Sequence, residues 1–144
     1  MLVFSEYQTD TIDLALDFYG YEDCPKNYEF GPSVRDNFVL HFITKGKGVF
    51  HFNKKEIHLE AGDLFLLPKN KVTYYKADAE EPWSYYWIGI SGTKVSDFMR
   101  FSTLHEKGFL KKTEVETERI GQFMEQLVHK AEASKMTSHY QLHL

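Results

Sequence analysis

The sequence predicts a mainly-β domain, an antiparallel barrel or sandwich followed by C-terminal α-helices, and two observations carry that expectation. Residues 38–90 break into short runs of aromatic and β-branched residues, with turn formers at nearly every join and no helical pattern between them. Beyond Gly92 the apolar residues change to helical spacing.

Taken in order, residues 2–4 suit an edge strand, whereas Leu14, Leu16, Phe18 and Tyr21 fit no single period. Turns follow at Cys24-Pro25-Lys26-Asn27 and Gly31-Pro32-Ser33. Residues 38–44 and 49–52 flank Lys45-Gly46-Lys47-Gly48 and predict a hairpin. Alternation puts Val39, His41 and Ile43 on one face of its first strand and Phe38, Leu40 and Phe42 on the other. Both faces are apolar, so one covers the interior and the other needs a second sheet, the helical segment or a partner chain.

A polar turn at Asn53-Lys54-Lys55-Glu56 leads to a strand over 57–59, and Ala61-Gly62-Asp63 leads to one over 64–67 that Pro68 closes. Asp63, at a strand start after a glycine, has the placing of a carboxylate that caps a turn through backbone N–H groups. Lys69-Asn70-Lys71 precedes a strand over 72–75, and Glu80-Glu81-Pro82 precedes the last strand, 83–90. There Trp83, Tyr85 and Trp87 share one face, either filling the core or walling a pocket for an apolar ligand face.

Val95, Phe98, Met99 and Phe101 suit a short helix, and Gly108-Phe109-Leu110 a connector. The clearest helix begins near Thr113, which stands in capping-box spacing with Glu116. Ile120, Phe123, Met124, Leu127, Val128 and Ala131 then make an apolar stripe that either packs on the strands or joins a second copy. Residues 134–144 are polar and weakly patterned, a frayed tail.

The 144 residues are enough for one domain with a real core. Seventeen basic residues against 21 acidic ones, without a Lys/Arg cluster, argue against direct reading of nucleic acid. The lone Cys24 forms no intrachain disulfide and reads as a buried, inert thiol in a reducing compartment. There is no leader pattern and no apolar run of about 18 residues, so a soluble, cytoplasmic protein without membrane contact is expected.

Catalytic chemistry finds little support. Seven histidines include no tight His-x-His pair; His41 and His51, on adjacent strands of the predicted hairpin, come nearest to a ligand pair. No nucleophile elbow or phosphate loop is present. Neither a metal nor a cofactor is expected, and the protein reads as a binding module rather than an enzyme.

Three motifs together carry a resemblance: Gly46-Lys47-Gly48, then Gly62-Asp63-Leu64-Phe65-Leu66-Leu67-Pro68, then Pro82-Trp83-Ser84-Tyr85-Tyr86-Trp87-Ile88-Gly89. The chain resembles the N-terminal cupin-like, ligand-binding and dimerisation domain of AraC-family transcription regulators, nearest to those of multiple-sugar metabolism. The resemblance covers residues 32–92 and extends through the helical part. It implies a cupin-like double-stranded β-helix, a jelly-roll barrel, over residues 1–92 with an N-terminal arm near residues 2–9. A helical dimerisation and linker segment would occupy residues 93–144. Thr73 stands where metal-binding cupins have a ligating histidine, which agrees with the absent ligand cluster.

In the arabinose-responsive founding member the sugar lies on a tryptophan, and matching the motifs puts that residue at Trp87, with Tyr85 and Tyr75 as polar contacts. The founding member has a histidine at the Tyr85 position, so the bonding pattern differs here. Its pocket arginine falls near Gly31, and Arg35 is the nearby substitute. On physical grounds a pyranose needs an apolar face for its C–H groups and a partner for each desolvated hydroxyl. Trp87 supplies the first, and Tyr75, Tyr85, Arg35 and His41 supply the second if they face inward.

The expected function is that of an effector-sensing domain in a regulator of carbohydrate utilisation. It would bind a small sugar or glycoside, form a homodimer through Ile120, Phe123, Met124, Leu127 and Val128, and meet DNA only through a C-terminal domain absent from this chain. The competing expectations are a dimerisation scaffold with a filled barrel and a cupin-type sugar-modifying enzyme.

Overall fold

The computed structural model describes residues 15–100 and 102–143. The arm and edge strand expected near residues 2–9, and Phe101, lie outside them. Strands β1 (Ala15–Asp23), β2 (Glu29–Ser33), β3 (Phe38–Lys45), β4 (Lys47–Phe52), β5 (Lys55–Glu60), β6 (Leu64–Leu67), β7 (Thr73–Ala77) and β8 (Ser84–Ser91) follow one another. Helices α1 (Thr93–Arg100) and α2 (Thr103–Lys107), the short strand β9 (Phe109–Leu110) and helix α3 (Glu118–His143) complete the order.

All strand pairs are antiparallel, in a five-stranded sheet β1-β8-β3-β6-β9 and a four-stranded sheet β2-β7-β4-β5. The two sheets face each other and do not close, so the expected jelly-roll barrel is not formed. Closure would require the edge strands to pair across the gap. Strands β1 and β2, consecutive in the chain, pair only with β8 and β7 respectively. Between the sheets stand side chains instead of ladder bonds: Trp83, Phe65, Phe50, Tyr85 and Tyr75 are buried there with Val39, Ile43, Leu59 and Leu67. Rings of this size hold two faces at roughly the 10 Å of a sandwich.

The predicted hairpin of residues 38–52 is also absent. Strand β3 lies between β6 and β8 in one sheet, while β4 lies between β5 and β7 in the other. The chain changes sheets at Gly46, whose φ of 75° and close approach to the Pro82 carbonyl leave no room for a side chain: a Cβ there would lie 2.3 Å from that oxygen. His41 and His51 are therefore in different sheets; His51 faces outward beside Glu56 and Tyr74. A tight hairpin forms one step later, where Asn53 and Lys54 both take positive φ in the two-residue turn joining β4 to β5.

The second apolar face of β3 is covered by helices. Leu16, Phe38, Leu40, Leu64, Leu66 and Ile88 pack against Val95 and Met99 of α1 and Met124, Val128 and Ala131 of α3. Helix α3 starts at Glu118, five residues after the expected Thr113, and continues through the tail expected to fray. Thr113 and Glu116 form no capping box. Thr117 precedes the helix, and its hydroxyl donates to the Gly62 carbonyl at 2.6 Å.

Candidate ligand-binding site

At one opening between the sheets lies a cleft of about 240 Å³ lined by Phe18 and Glu22 of β1, Tyr28, Phe30 of β2, Arg35, Val39 and His41 of β3, Tyr75 of β7, and Tyr85 and Trp87 of β8. The structure thus brings together Trp87, Tyr85, Tyr75, His41 and Arg35. Alternation explains the contributions of β3 and β8, because Val39, His41, Tyr85 and Trp87 sit at inward positions while Leu40, Tyr86 and Ile88 face the helices. Trp83, on the same face as Trp87, is fully buried deeper between the sheets. That face therefore does both expected jobs: Trp83 fills the core and Trp87 walls the cleft.

Rings organise the cleft wall. The His41 imidazole stacks on Phe65 with centroids 4.2 Å apart and an interplanar angle of 7°. Tyr85 meets His41 edge-on at 4.9 Å and Trp87 edge-on at 6.0 Å. The Arg35 guanidinium lies 4.9 Å from the Phe30 centroid and 5.7 Å from that of Phe18, within cation–π range. Its Nε and the Nδ1 of His41 are buried without a hydrogen-bond partner. Desolvated polar atoms left open in this way cost stability, and a ligand that bonds to them recovers it.

Burial and the nearby Arg35 charge push the His41 pKa down to about 3, so the ring is neutral at physiological pH. Burial likewise raises Tyr75 and Tyr85, which keep their phenolic protons. A pH effect follows. Because the folded value of His41 lies below the ordinary 6.5, the folded ring stays neutral while the unfolded chain takes up the proton, so the stability present above about pH 6.5 is lost progressively as the pH falls toward 3. Urea denaturation at pH 7 and about pH 4.5 is expected to show a smaller acid loss for His41→Gln than for the unsubstituted chain; equal losses would contradict the assignment.

Phe18, Glu22, Tyr28 and Phe30 were not among the site residues expected from sequence. A register shift between Leu16 and Phe18 resets the alternation of β1, so that Leu16 and Tyr19 both face the helices. A second shift interrupts β2 between Phe30 and Ser33. Val39 had a signal, since it shares the face of His41.

Cys24 is buried, and burial pushes its thiol up to about 11, as suits an unreactive structural cysteine. Asp63 accepts backbone N–H bonds from Glu60 and Lys112, both at 2.9 Å, in the turn-capping role expected for it. Among the described residues no cluster of three or more His, Cys, Asp or Glu side chains is placed to hold a metal ion. Of the candidate dimer stripe, Met124 and Val128 are buried in the domain's own core, Ile120 and Leu127 are half-buried, and Phe123 is 62% exposed. No described helix is long and apolar enough to cross a membrane.

Two facing antiparallel sheets, a helical cover on one of them and a small aromatic cleft between the two define a β-sandwich domain of ligand-binding form. The chain belongs to the AraC-like ligand binding domain family, whose profile matches residues 15–143. It is 46% identical over 105 residues to the Msm operon regulatory protein of Streptococcus mutans, covering 73% of this chain and 38% of that protein. It is 41% identical over 100 residues to the raffinose operon transcriptional regulatory protein RafR of Pediococcus pentosaceus, covering 67% and 36%. With the lactose operon transcription activator of Staphylococcus xylosus it shares 33% identity over 98 residues, covering 68% and 35%. The chain thus spans little more than a third of the length of these relatives, all of them named as regulators.

Proposed function

We propose that this chain is the effector-sensing domain of a transcription regulator of carbohydrate utilisation, acting in the cytoplasm, and that a small sugar or glycoside occupies the cleft beside Trp87. The observation that carries the reading is the cleft's chemistry. An indole and a phenyl ring are offered beside two buried, unpartnered nitrogens, Arg35 Nε and His41 Nδ1, and two protonated tyrosines. A pyranose pairs an apolar C–H face with hydroxyls that both donate and accept, which such a lining matches. The relatives named for raffinose and lactose operons support the same class of effector. The open cleft beside Trp87 counts against a scaffold whose interior is filled by its own side chains.

In this reading residues up to 92 sense the sugar, and the helical segment from 93 onward relays its presence and forms a homodimer. The contact would use the open part of α3 around Phe123, with Ile120 and Leu127 beside it. DNA contacts would belong to a separate domain, in keeping with the net charge of -4 and the absence of a basic cluster here.

Isothermal titration with mono-, di- and trisaccharides tests the proposal. Saturable binding of one sugar class is expected, weakened about tenfold or more by Trp87→Ala, equivalent to roughly 1.4 kcal/mol. No binding by the folded chain, or unchanged affinity in the variant, would contradict it.

A further inference from the structure

Two glycines lie against rings that wall the cleft. Gly20 on β1 faces Trp87 on β8, and Phe18 on β1 faces Gly89 on β8. The two rings thus lie opposite glycines in cross-strand pairs that flank the pair Tyr19–Ile88. A Cβ on Gly20 would stand 2.3 Å from the Trp87 indole, and one on Gly89 would stand 2.2 Å from the Phe18 ring. Each ring therefore occupies the space of the missing side chain and lies down across the sheet. No turn or unusual φ requires glycine at either position; the close approach of a ring does.

The volume left is about 240 Å³, below the roughly 300–1,000 Å³ of sites that enclose a drug-sized ligand. One sugar ring fits that space; an enclosed trisaccharide does not. The polar wall also bears on the class of ligand. Arg35 and Glu22 both line the cleft, so an added negative charge would meet a carboxylate as well as a guanidinium, and an uncharged polyol suits the pair better.

We propose that the cleft takes a single uncharged hexopyranose unit, the terminal ring of a glycoside, with the rest of the sugar outside, and that Gly20 and Gly89 set this size by letting Trp87 and Phe18 lie flat. The inference rests on the sugar-binding reading above. Gly20 and Gly89 act as positioning residues, since they work through the rings they admit.

Calorimetric titration of the chain with methyl α- and β-galactopyranoside, methyl α- and β-glucopyranoside, lactose and raffinose tests it. The best methyl hexopyranoside is expected to bind within about tenfold of the best oligosaccharide. Gly20→Ala should weaken both by the same factor of about ten or more, because the indole is displaced from under the ring they share. If oligosaccharides bind more than about a hundredfold tighter than every methyl glycoside, the one-ring proposal is overturned and the sugar reading survives. If no sugar binds, both fail together. Unchanged affinity in Gly20→Ala would overturn the role of the glycine. A loss of thermal midpoint in Gly20→Ala should be largely restored by adding Trp87→Leu, whose shorter side chain clears the new methyl. Failure of that restoration would overturn the proposed Gly20–Trp87 packing, even if Gly20→Ala alone does not fold.

Discussion

Phe65→Ala is expected to destabilise the domain by about 3–5 kcal/mol, the range found when a buried phenyl ring leaves a cavity that its neighbours fill only in part. Phe65 is fully buried between the sheets. Its ring stacks on His41 at 4.2 Å and on Trp83 at 5.2 Å, and it meets Phe50 at 5.0 Å and Tyr75 at 5.2 Å. Phe50 and Tyr75 belong to β4 and β7 of the opposite sheet, so one truncation loosens the contact between the sheets. Against a typical total of about 5–15 kcal/mol, a loss of this size leaves a substantial unfolded fraction. Urea denaturation measures it directly. Phe65→Leu should retain more of the stability while loosening the His41 ring, so its ligand affinity should fall further than its denaturation midpoint suggests. A cost below about 1 kcal/mol for the alanine variant would show that the inter-sheet core does not depend on this ring.

Asp63→Ala should have the next largest effect, about 3 kcal/mol. The buried carboxylate accepts from the Glu60 amide through Oδ2 and from the Lys112 amide through Oδ1, each at 2.9 Å. Alanine would leave both donors without their acceptor, at roughly 1–3 kcal/mol each. The same turn holds the segment leading into α3 by two further bonds, Lys112 Nζ to the Ala61 carbonyl at 2.8 Å and the Thr117 hydroxyl to the Gly62 carbonyl at 2.6 Å. Asp63 thus ties a turn of the strand region to the segment that leads into α3. Asp63→Asn keeps the shape and one acceptor oxygen, so the expected order of stability is aspartate, asparagine, alanine. Hydrogen exchange at the Lys112 amide gives a local readout: it should accelerate in both variants, more in the alanine one. Exchange at the unsubstituted rate would contradict the assigned bond.

Much of the cleft was legible because side-chain alternation is local. The facing of Val39, His41, Tyr85 and Trp87 follows from a period of two within single strands, and the structure puts all four on the inner face. The helical stripe was legible for the same reason, through its own period. The apolar character of both faces of β3 announced a second layer, which α1 and α3 supply. The resemblance to the family was likewise carried by short contiguous motifs, and the matching profile spans residues 15–143, which include them.

Tertiary structure alone decided what depends on distant pairing. Gly46 reads as a hairpin glycine in isolation, yet the approach of Pro82, far along the chain, makes it the point where the backbone changes sheets. Whether the strands close into a cylinder depends on hydrogen bonds between edges such as β1 and β2, and no local period reports those bonds. The bulge in β1 shifted Phe18 and Glu22 to the cleft side, and the absence of side chains at Gly20 and Gly89 let Trp87 and Phe18 lie across the sheet. On α3 the sequence by itself determined the apolar stripe. Only the packing of the sheet decided that Met124 and Val128 are buried while Phe123 stays exposed, because burial belongs to the surface that meets a residue as much as to the residue.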